Sequence, residues 1–323
     1  MKTADFDYTL PPELIAQEPL ADRTAARMLV VDRAAGKIHH DHFRQLGRYL
    51  QPGDLLVLND TKVIPARIWS AKPNVELLLV ENLGENRWSA MVKPGRRARP
   101  GARLEFAPWL SAVVESETPT GERILLFTGN VEAYLHEHGS APLPPYIKRP
   151  AARDELTRYQ TVFARAAGAI AAPTAGLHFT TELLAQWPHT FITLHVGIGT
   201  FRPVKTESVA EHQMHAERFI VSAESAAVMQ AAQRIVAVGT TVVRTLETLG
   251  APQAGAGATD IFIRPGFEFR VVDALLTNFH LPRSTLMMLV SAFAGRELIL
   301  QAYAEAVRER YRFFSYGDCM LIL

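Results

Sequence analysis

Residues 222–250 read SAESAAVMQAAQRIVAVGTTVVRTLETLG. Ser222 can cap the alanine-rich run behind it, which predicts a helix over 223–234. Ile235–Val238 is an apolar run of strand length. Thr240 and Thr241 open a second helix to Leu249, and Gly250 ends it. Helix, strand and helix in succession point to a layered α/β domain with a largely parallel sheet. The alternation extends outward. Upstream, a helix over 180–187 leads to the strand Phe191–Val196. Downstream, a Gly- and Ala-rich loop over 250–258 precedes strands at 260–263 and 269–277. Ser284 caps a helix to Gly295, a long helix covers 297–310, and Cys319–Leu323 reads as a buried strand. Near the start, Met28–Val31 and Leu55–Leu58 are further strands.

Residues 62–129 differ. Strand-like runs recur near 63–70, 75–81, 87–92, 102–107, 110–116 and 122–127, with Gly, Pro and Asn turns between them. That spacing predicts a small antiparallel barrel or sandwich. A capped helix, Asn130 to His138, and a stiff Pro142–Tyr146 linker follow. The β unit is read as an insertion: an α/β domain of residues 1–61 and 148–323, interrupted by 62–147.

The 323 residues exceed the usual single domain, and 48% of them are hydrophobic, enough for a large core. With a formal net charge of +1, a nucleic-acid partner must be held by a local patch. One cysteine, Cys319, rules out an internal disulfide framework and a cysteine-based zinc cluster. The N-terminus lacks the pattern of a signal peptide, and the longest apolar run, Leu286–Ala294, is about half a membrane span. The expectation is a soluble, cytoplasmic chain with no membrane partner.

Candidate chemistry falls at element boundaries. Residues 168–180, GAIAAPTAGLHFT, combine small residues that let a ligand approach the backbone with Pro173, Gly176 and His178. They read as a loop entering a helix capped by Thr180 or Thr181, whose free N–H groups suit an anion; a tight core turn with a packed His178 is the alternative. Asn59 and Asp60 end a buried strand, where α/β proteins place ligands, or else form an Asx-type turn. His195 precedes Gly197-Ile198-Gly199-Thr200, a glycine pair after a strand that suits phosphate without the full dinucleotide fingerprint. His212 and His215 would share a helix face, as metal ligands can, with Glu217 beside them. Asn278 and His280 follow a strand, and Arg244 lies one turn into a helix, where it could hold a carboxylate or phosphate or simply face solvent. Five of the 11 histidines, His178, His195, His212, His215 and His280, lie in or beside such loops, which suggests proton transfer in a cleft. Lys93, Arg96, Arg97 and Arg99 lie in KPGRRARPGAR, a cluster that could neutralise phosphates or be merely solvated.

Longer strings carry a resemblance. LPPELIAQ, LNDTKVIPARI, PLPPYI, RYQTVFA, GAIAAPTAGLHFT, TLHVGIGTFRPV, HQMHAE, VGTTVVRTLE, IFIRPGF, VDALLTNFHLPRSTLMMLVSAFAG and YRFFSYGDCMLI occur in this order from about residue 5 to the C-terminus. They resemble the S-adenosylmethionine:tRNA ribosyltransferase-isomerases of queuosine biosynthesis. The chain departs at loops: it is compact around Lys72–Val75 and between Trp187 and Phe191, has Thr157 where an acidic residue is common, and Cys319 where a small residue is typical. The resemblance implies an α/β domain with an inserted β-barrel. It also implies transfer and isomerisation of the ribosyl unit of S-adenosylmethionine onto 7-aminomethyl-7-deazaguanine at the tRNA wobble position. Epoxyqueuosine forms, and adenine and methionine leave. S-Adenosylmethionine is then a cosubstrate, with no further cofactor or metal expected.

Such chemistry needs a base to form a sulfonium ylide, loss of a proton from the aminomethyl group, and a proton for adenine. His178, His195, His212 and His215 are the candidate proton carriers, with His178 or His215 as the base and Glu217 orienting one of them. Asn59, Asp60, Thr174, Gly197, Gly199, Arg244, Asn278 and His280 are candidate ligand holders. Lys93, Arg96, Arg97 and Arg99 are candidates for tRNA phosphates. A monomer is expected. A metal-dependent hydrolase built on His212 and His215, and a tRNA-binding protein without catalysis, are the competing readings.

Overall fold

The computed structural model describes residues 1–152, 154–197, 199, 204 and 206–323. In chain order the strands and helices are β1 (Arg27–Asp32), β2 (Lys37–His42), β3 (Asp54–Asn59), β4 (Thr61–Val63), β5 (Arg67–Ser70), β6 (Val75–Gly84), β7 (Arg87–Lys93), β8 (Arg103–Ala107), β9 (Leu110–Glu117), β10 (Arg123–Phe127), α1 (Val131–His138), α2 (Glu155–Arg158), β11 (Ala166–Ala169), α3 (Thr181–Leu184), β12 (His189–Leu194), β13 (Glu217–Val221), α4 (Ala223–Ala231), β14 (Arg234–Val238), α5 (Thr240–Leu249), β15 (Gly255–Thr259), β16 (Ala274–Asn278), α6 (Thr285–Ala294), α7 (Arg296–Arg308) and β17 (Cys319–Ile322).

Among the described residues the large sheet runs β15-β13-β12-β3-β14-β16-β17-β1-β2. Its centre, β12-β3-β14-β16, is parallel. Antiparallel partners flank it: β13 and β15 on one side, β17 on the other. All six residues of β3 are buried, as suits a strand covered on both faces. One face packs against α5, α6 and α7 through Val242, Val243, Leu246, Met287, Val290, Ile299 and Tyr303. The other carries Phe43, Leu46, Phe179 and Leu184.

A second sheet, β5-β6-β7-β10-β9-β8, is antiparallel throughout. It curls until Lys72 bridges Glu105, so the expected β unit is a nearly closed barrel. Alternating inward residues such as Ile68, Leu77, Leu79, Leu104, Val114 and Leu125 fill it, and α1 covers it with Val131, Tyr134 and Leu135. Asn130 caps α1, its side chain accepting from Ala133 N at 3.0 Å. β4 and β11 pair in parallel where the barrel meets the large sheet, and Ile170 enters the barrel core.

Several boundaries move. The helix expected over 223–234 ends at Ala231, because Gln233 N bonds Gly53 O and the Arg234 guanidinium holds Asp54 at 2.7 and 2.8 Å, starting a strand beside β3. The loop expected over 250–258 contains the edge strand β15, paired with β13 from Gly255 to Thr259. Residues 260–263 form no strand, and the expected 269–277 strand begins only at Ala274. The Glu247 carboxylate on α5 accepts from the backbone N–H groups of Arg270, Val271 and Val272 at 2.9, 3.1 and 3.0 Å, which takes those donors from the sheet. The helix expected over 180–187 is the single turn α3, capped by Thr180. No single helix among the described residues is long and apolar enough to cross a membrane.

Candidate active site

The carboxyl ends of β12, β3, β14 and β16 lie side by side, and residues 168–178 cross them. Small residues make the crossing possible. Gly168, at φ 150°, lies so close to His195 that a Cβ there would come within 2.9 Å of the ring. Ile170 N bonds Val196 O at 3.1 Å. Ala175 packs at the end of β14 beside Gly239, and a 3-10 turn, Thr174–His178, delivers His178 to Asn278 at the end of β16. One stretch therefore has His195 at its start and His178 at its finish. Thr174 is half-buried in that turn.

On the β12 side, His195 Nδ1 lies 2.8 Å from Thr61 Oγ1. Burial, aided by Arg218, pulls its pKa below the ordinary histidine value, and nearby Asp60 opposes the shift. Asp60 accepts from Thr193 Oγ1 at 2.6 Å and from Arg165 at 3.0 and 3.2 Å. Glu217, buried at the start of β13, is ion-paired with Arg244 and accepts from Gly197 N at 2.8 Å. Gly199 faces the His215 ring, which a Cβ there would approach to 3.4 Å. The His212 ring meets Phe262 edge-on with centroids 5.4 Å apart; burial and then His215 lower its pKa.

On the β16 side, His178 is buried against Phe43. Its Nε2 lies 3.2 Å from Asn278 Nδ2, which also lies 3.3 Å from Asp318 O. Flipping the amide would set two carbonyl oxygens against each other, so Asn278 donates and Nε2 accepts. That leaves the proton on Nδ1. Burial, followed by the charges of Arg23 and Arg312, lowers the His178 pKa to about 4. A cavity of about 180 Å³ opens here, lined by His178 with Arg23, Arg158, Ser315 and Tyr316 among others.

The expected histidines thus fall into two groups on opposite sides of the parallel centre. His212 and His215 do not share a helix: a short 3-10 turn ends at Glu211 and both follow it outside any helix or strand, so the i,i+3 argument fails. No group of three His, Cys, Asp or Glu among the described residues is arranged to hold a metal ion. Arg244 faces inward to Glu217, with Nε buried and without a partner. Asn59 closes the Asx-type turn with Thr61 N at 3.1 Å and clasps Leu194 N and O at 3.0 and 2.9 Å, so its amide is occupied within the fold. His280 is fully packed, bonded to Thr277 Oγ1 at 2.9 Å, with its pKa lowered to about 3 by burial. α3 is one turn long and carries Glu182 in that turn, so it offers no anion site. Ile198 and Thr200 lie outside the described residues.

Lys93 at the end of β7, and Arg96, Arg97 and Arg99 in the β7–β8 connection, are exposed on the barrel. Ala98 plugs the barrel core between them, and Arg123 holds its carbonyl at 2.7 Å. The sequence reading missed Arg23, Arg158 and Arg165 as site residues, although Arg158 opens the string RYQTVFA and Arg165 follows it. Tyr316 was visible only within the string YRFFSYGDCMLI.

The family described as queuosine biosynthesis protein matches residues 3–322. The chain is 54% identical over 344 residues to the S-adenosylmethionine:tRNA ribosyltransferase-isomerase of Moorella thermoacetica. It is 52% identical over 340 residues to the protein of that name from Carboxydothermus hydrogenoformans. In both comparisons 100% of each chain is covered. The crystal structure of an S-adenosylmethionine tRNA ribosyltransferase from Thermotoga maritima aligns over 99% of this chain and 100% of that one, with a TM-score of 0.56 and 41% identity. A match this continuous, on a fold whose parallel centre gathers the expected histidines and acids at its carboxyl ends, places the chain in the queuosine biosynthesis protein family.

Proposed function

We infer that the protein is an S-adenosylmethionine:tRNA ribosyltransferase-isomerase. It moves the ribosyl unit of S-adenosylmethionine onto 7-aminomethyl-7-deazaguanine at the tRNA wobble position. Epoxyqueuosine is formed, with release of adenine and methionine. The observation that carries this reading is the end-to-end match to relatives of that name at 54% and 52% identity. We further propose a monomeric, cytoplasmic enzyme, with residues 62–147 as a domain inserted into the α/β body.

We assign the proton work to both groups of histidines. His178 keeps its lone-pair nitrogen on Asn278 and offers an N–H at Nδ1. A neutral imidazole held this way is a donor, suited to the nitrogen of departing adenine and ill suited to removing a proton. The base then comes from the other group. His195 and His215 stand beside the backbone at Gly168 and Gly199, where the missing side chains make room for the two rings, and burial lowers the His195 pKa, which favours the neutral form that a base needs. Glu217 positions the chain at Gly197 while Arg244 neutralises it. Asp60 is held by Thr193 and Arg165 near His195, so its charge supports an imidazolium formed during the reaction.

The test uses purified protein, S-adenosylmethionine and an anticodon stem-loop carrying 7-aminomethyl-7-deazaguanine. Adenine is followed by chromatography and the RNA by mass spectrometry. Adenine release with a ribosyl-derived mass gain is expected. Folded protein that binds the RNA but yields neither product is a binding protein, and the transferase assignment falls.

A further inference from the structure

The outer face of the barrel carries an exposed aromatic residue beside the basic loop. Trp69, on β5, is 45% exposed although tryptophan is ordinarily well buried. Register places it in a cross-strand row, Trp69–Glu76–Lys93, over β5, β6 and β7. The neighbouring row is Arg67–Leu78–Met91, with Met91 40% exposed. Residues in one row project from the same face, so Trp69 and Lys93 stand two strand spacings, about 10 Å, apart.

Charge on this face is asymmetric. Glu76, between Trp69 and Lys93, is ion-paired with Arg67. Among the described residues no acidic side chain is ion-paired with Lys93, Arg96, Arg97 or Arg99. Arg97 donates to Asn74 O at 3.1 Å, which fastens the basic loop to the turn that follows β5. A flat π-face next to unneutralised cations fits a polyanion that also presents unstacked rings. Single-stranded nucleic acid is such a partner: bases stack on aromatic side chains while the phosphates track the cations. A double-stranded stem offers phosphates but no free ring faces.

We propose that Trp69 is a stacking platform for an unpaired nucleobase of the tRNA anticodon loop, with Lys93 and Arg97 on the adjoining phosphates. This rests on the tRNA reading above and assigns a residue that no motif marked. The side chain stands out from a strand whose inward residues, Ile68 and Ser70, hold the core, so Trp69→Ala leaves the barrel packing in place.

The experiment titrates the full-length protein with the anticodon stem-loop and, separately, with a blunt RNA duplex of equal length, at one salt concentration. Trp69→Ala is expected to raise the Kd for the stem-loop about tenfold and leave the duplex unaffected; Trp69→Phe is expected to restore binding to within about threefold. Stem-loop binding should quench tryptophan fluorescence in the wild type, with that quench reduced in Trp69→Phe. A stem-loop Kd unchanged in Trp69→Ala, or an undiminished quench in Trp69→Phe, overturns the platform and leaves the tRNA reading standing. Wild-type protein that does not bind the stem-loop overturns both.

Discussion

Asn278 Nδ2 lies 3.2 Å from His178 Nε2 and 3.3 Å from the carbonyl of Asp318, so a single amide fixes the tautomer of a buried imidazole. The ¹⁵N spectrum of the histidines should therefore show His178 with its proton on Nδ1 at pH 7. Because burial and the nearby Arg23 and Arg312 lower its pKa to about 4, the pattern should persist well below pH 6. His178→Ala should lower kcat/KM by about a hundredfold, the usual scale for a lost hydrogen-bond donor to developing negative charge. A proton on Nε2, or a rate within about threefold of wild type, rejects the role.

Gly168 and His195 test the other group. A Cβ at position 168 would press on the His195 ring at 2.9 Å, in a backbone conformation that L side chains rarely adopt. Gly168→Ala should displace the imidazole and cost about a hundredfold in kcat, since misplacement by 1 Å can cost that much. Thr61→Val leaves the ring its space and removes the hydroxyl that bonds Nδ1 at 2.8 Å and Ala166 O at 3.4 Å, so it should cost less. Equal, small losses in both variants would show that the position of His195 is irrelevant to turnover.

Glu217 and Arg244 are buried together, so neither tolerates removal of the other. Arg244→Met should destabilise the protein by about 3–5 kcal/mol in urea unfolding, because it strands a carboxylate. Glu217→Gln keeps an acceptor for Gly197 N but strands the guanidinium, which should also destabilise the protein. The double variant should be more stable than the sum of the single losses implies. Additive losses would mean that the ion pair contributes no coupling.

Much of the fold was legible because its elements are local. Ser222, Ser284, Asn130 and Thr180 cap helices as read, each accepting from the N–H three residues on. The β3 and β17 runs are buried along their whole length, as their apolar sequences imply. What failed depended on distant partners. Nothing near residue 270 reveals that Glu247 will take three backbone donors, and nothing near Arg234 reveals Asp54. The site behaved likewise. GAIAAPTAGLHFT was recognisable as an unusual backbone, but that it runs from His195 to His178 follows from sheet order. His212 and His215 misled because i,i+3 spacing carries this meaning only on a helix, and that segment is not helical.

His280 makes a prediction about stability. Its folded pKa of about 3 lies below the ordinary value of about 6.5, as does that of His178. Between those values the unfolded chain binds more protons than the native one, so stability falls as pH falls from 6.5 and levels off above it. Each such group contributes a slope of up to about 1.4 kcal/mol per pH unit in that window. His280→Gln, which keeps a polar group near Thr277, should flatten the decline between pH 6 and 4 by about that amount, as measured by urea unfolding. An unchanged slope would mean that His280 titrates normally in the folded protein.

The basic loop makes the last prediction. Lys93, Arg96, Arg97 and Arg99 are exposed; Arg97 holds the loop to Asn74 O, and Arg123, which holds the buried Ala98 by its carbonyl, remains as an anchor when the four are replaced. Replacing all four with glutamine should therefore spare the fold while removing positive charge from the surface. If each cation neutralises one tRNA phosphate, the slope of log K against log salt should fall by about 0.7–0.9 for every phosphate left without its cation. KM for tRNA should rise, while KM for S-adenosylmethionine, which the barrel face does not touch in this reading, should hold. A large drop in affinity with an unaltered salt slope would mean that the loop acts through shape and not through charge. An unaltered affinity and slope together would mean that the phosphates are held elsewhere. The half-buried Arg23 and the exposed Arg158, both lining the cavity beside His178, would then be the next cations to replace.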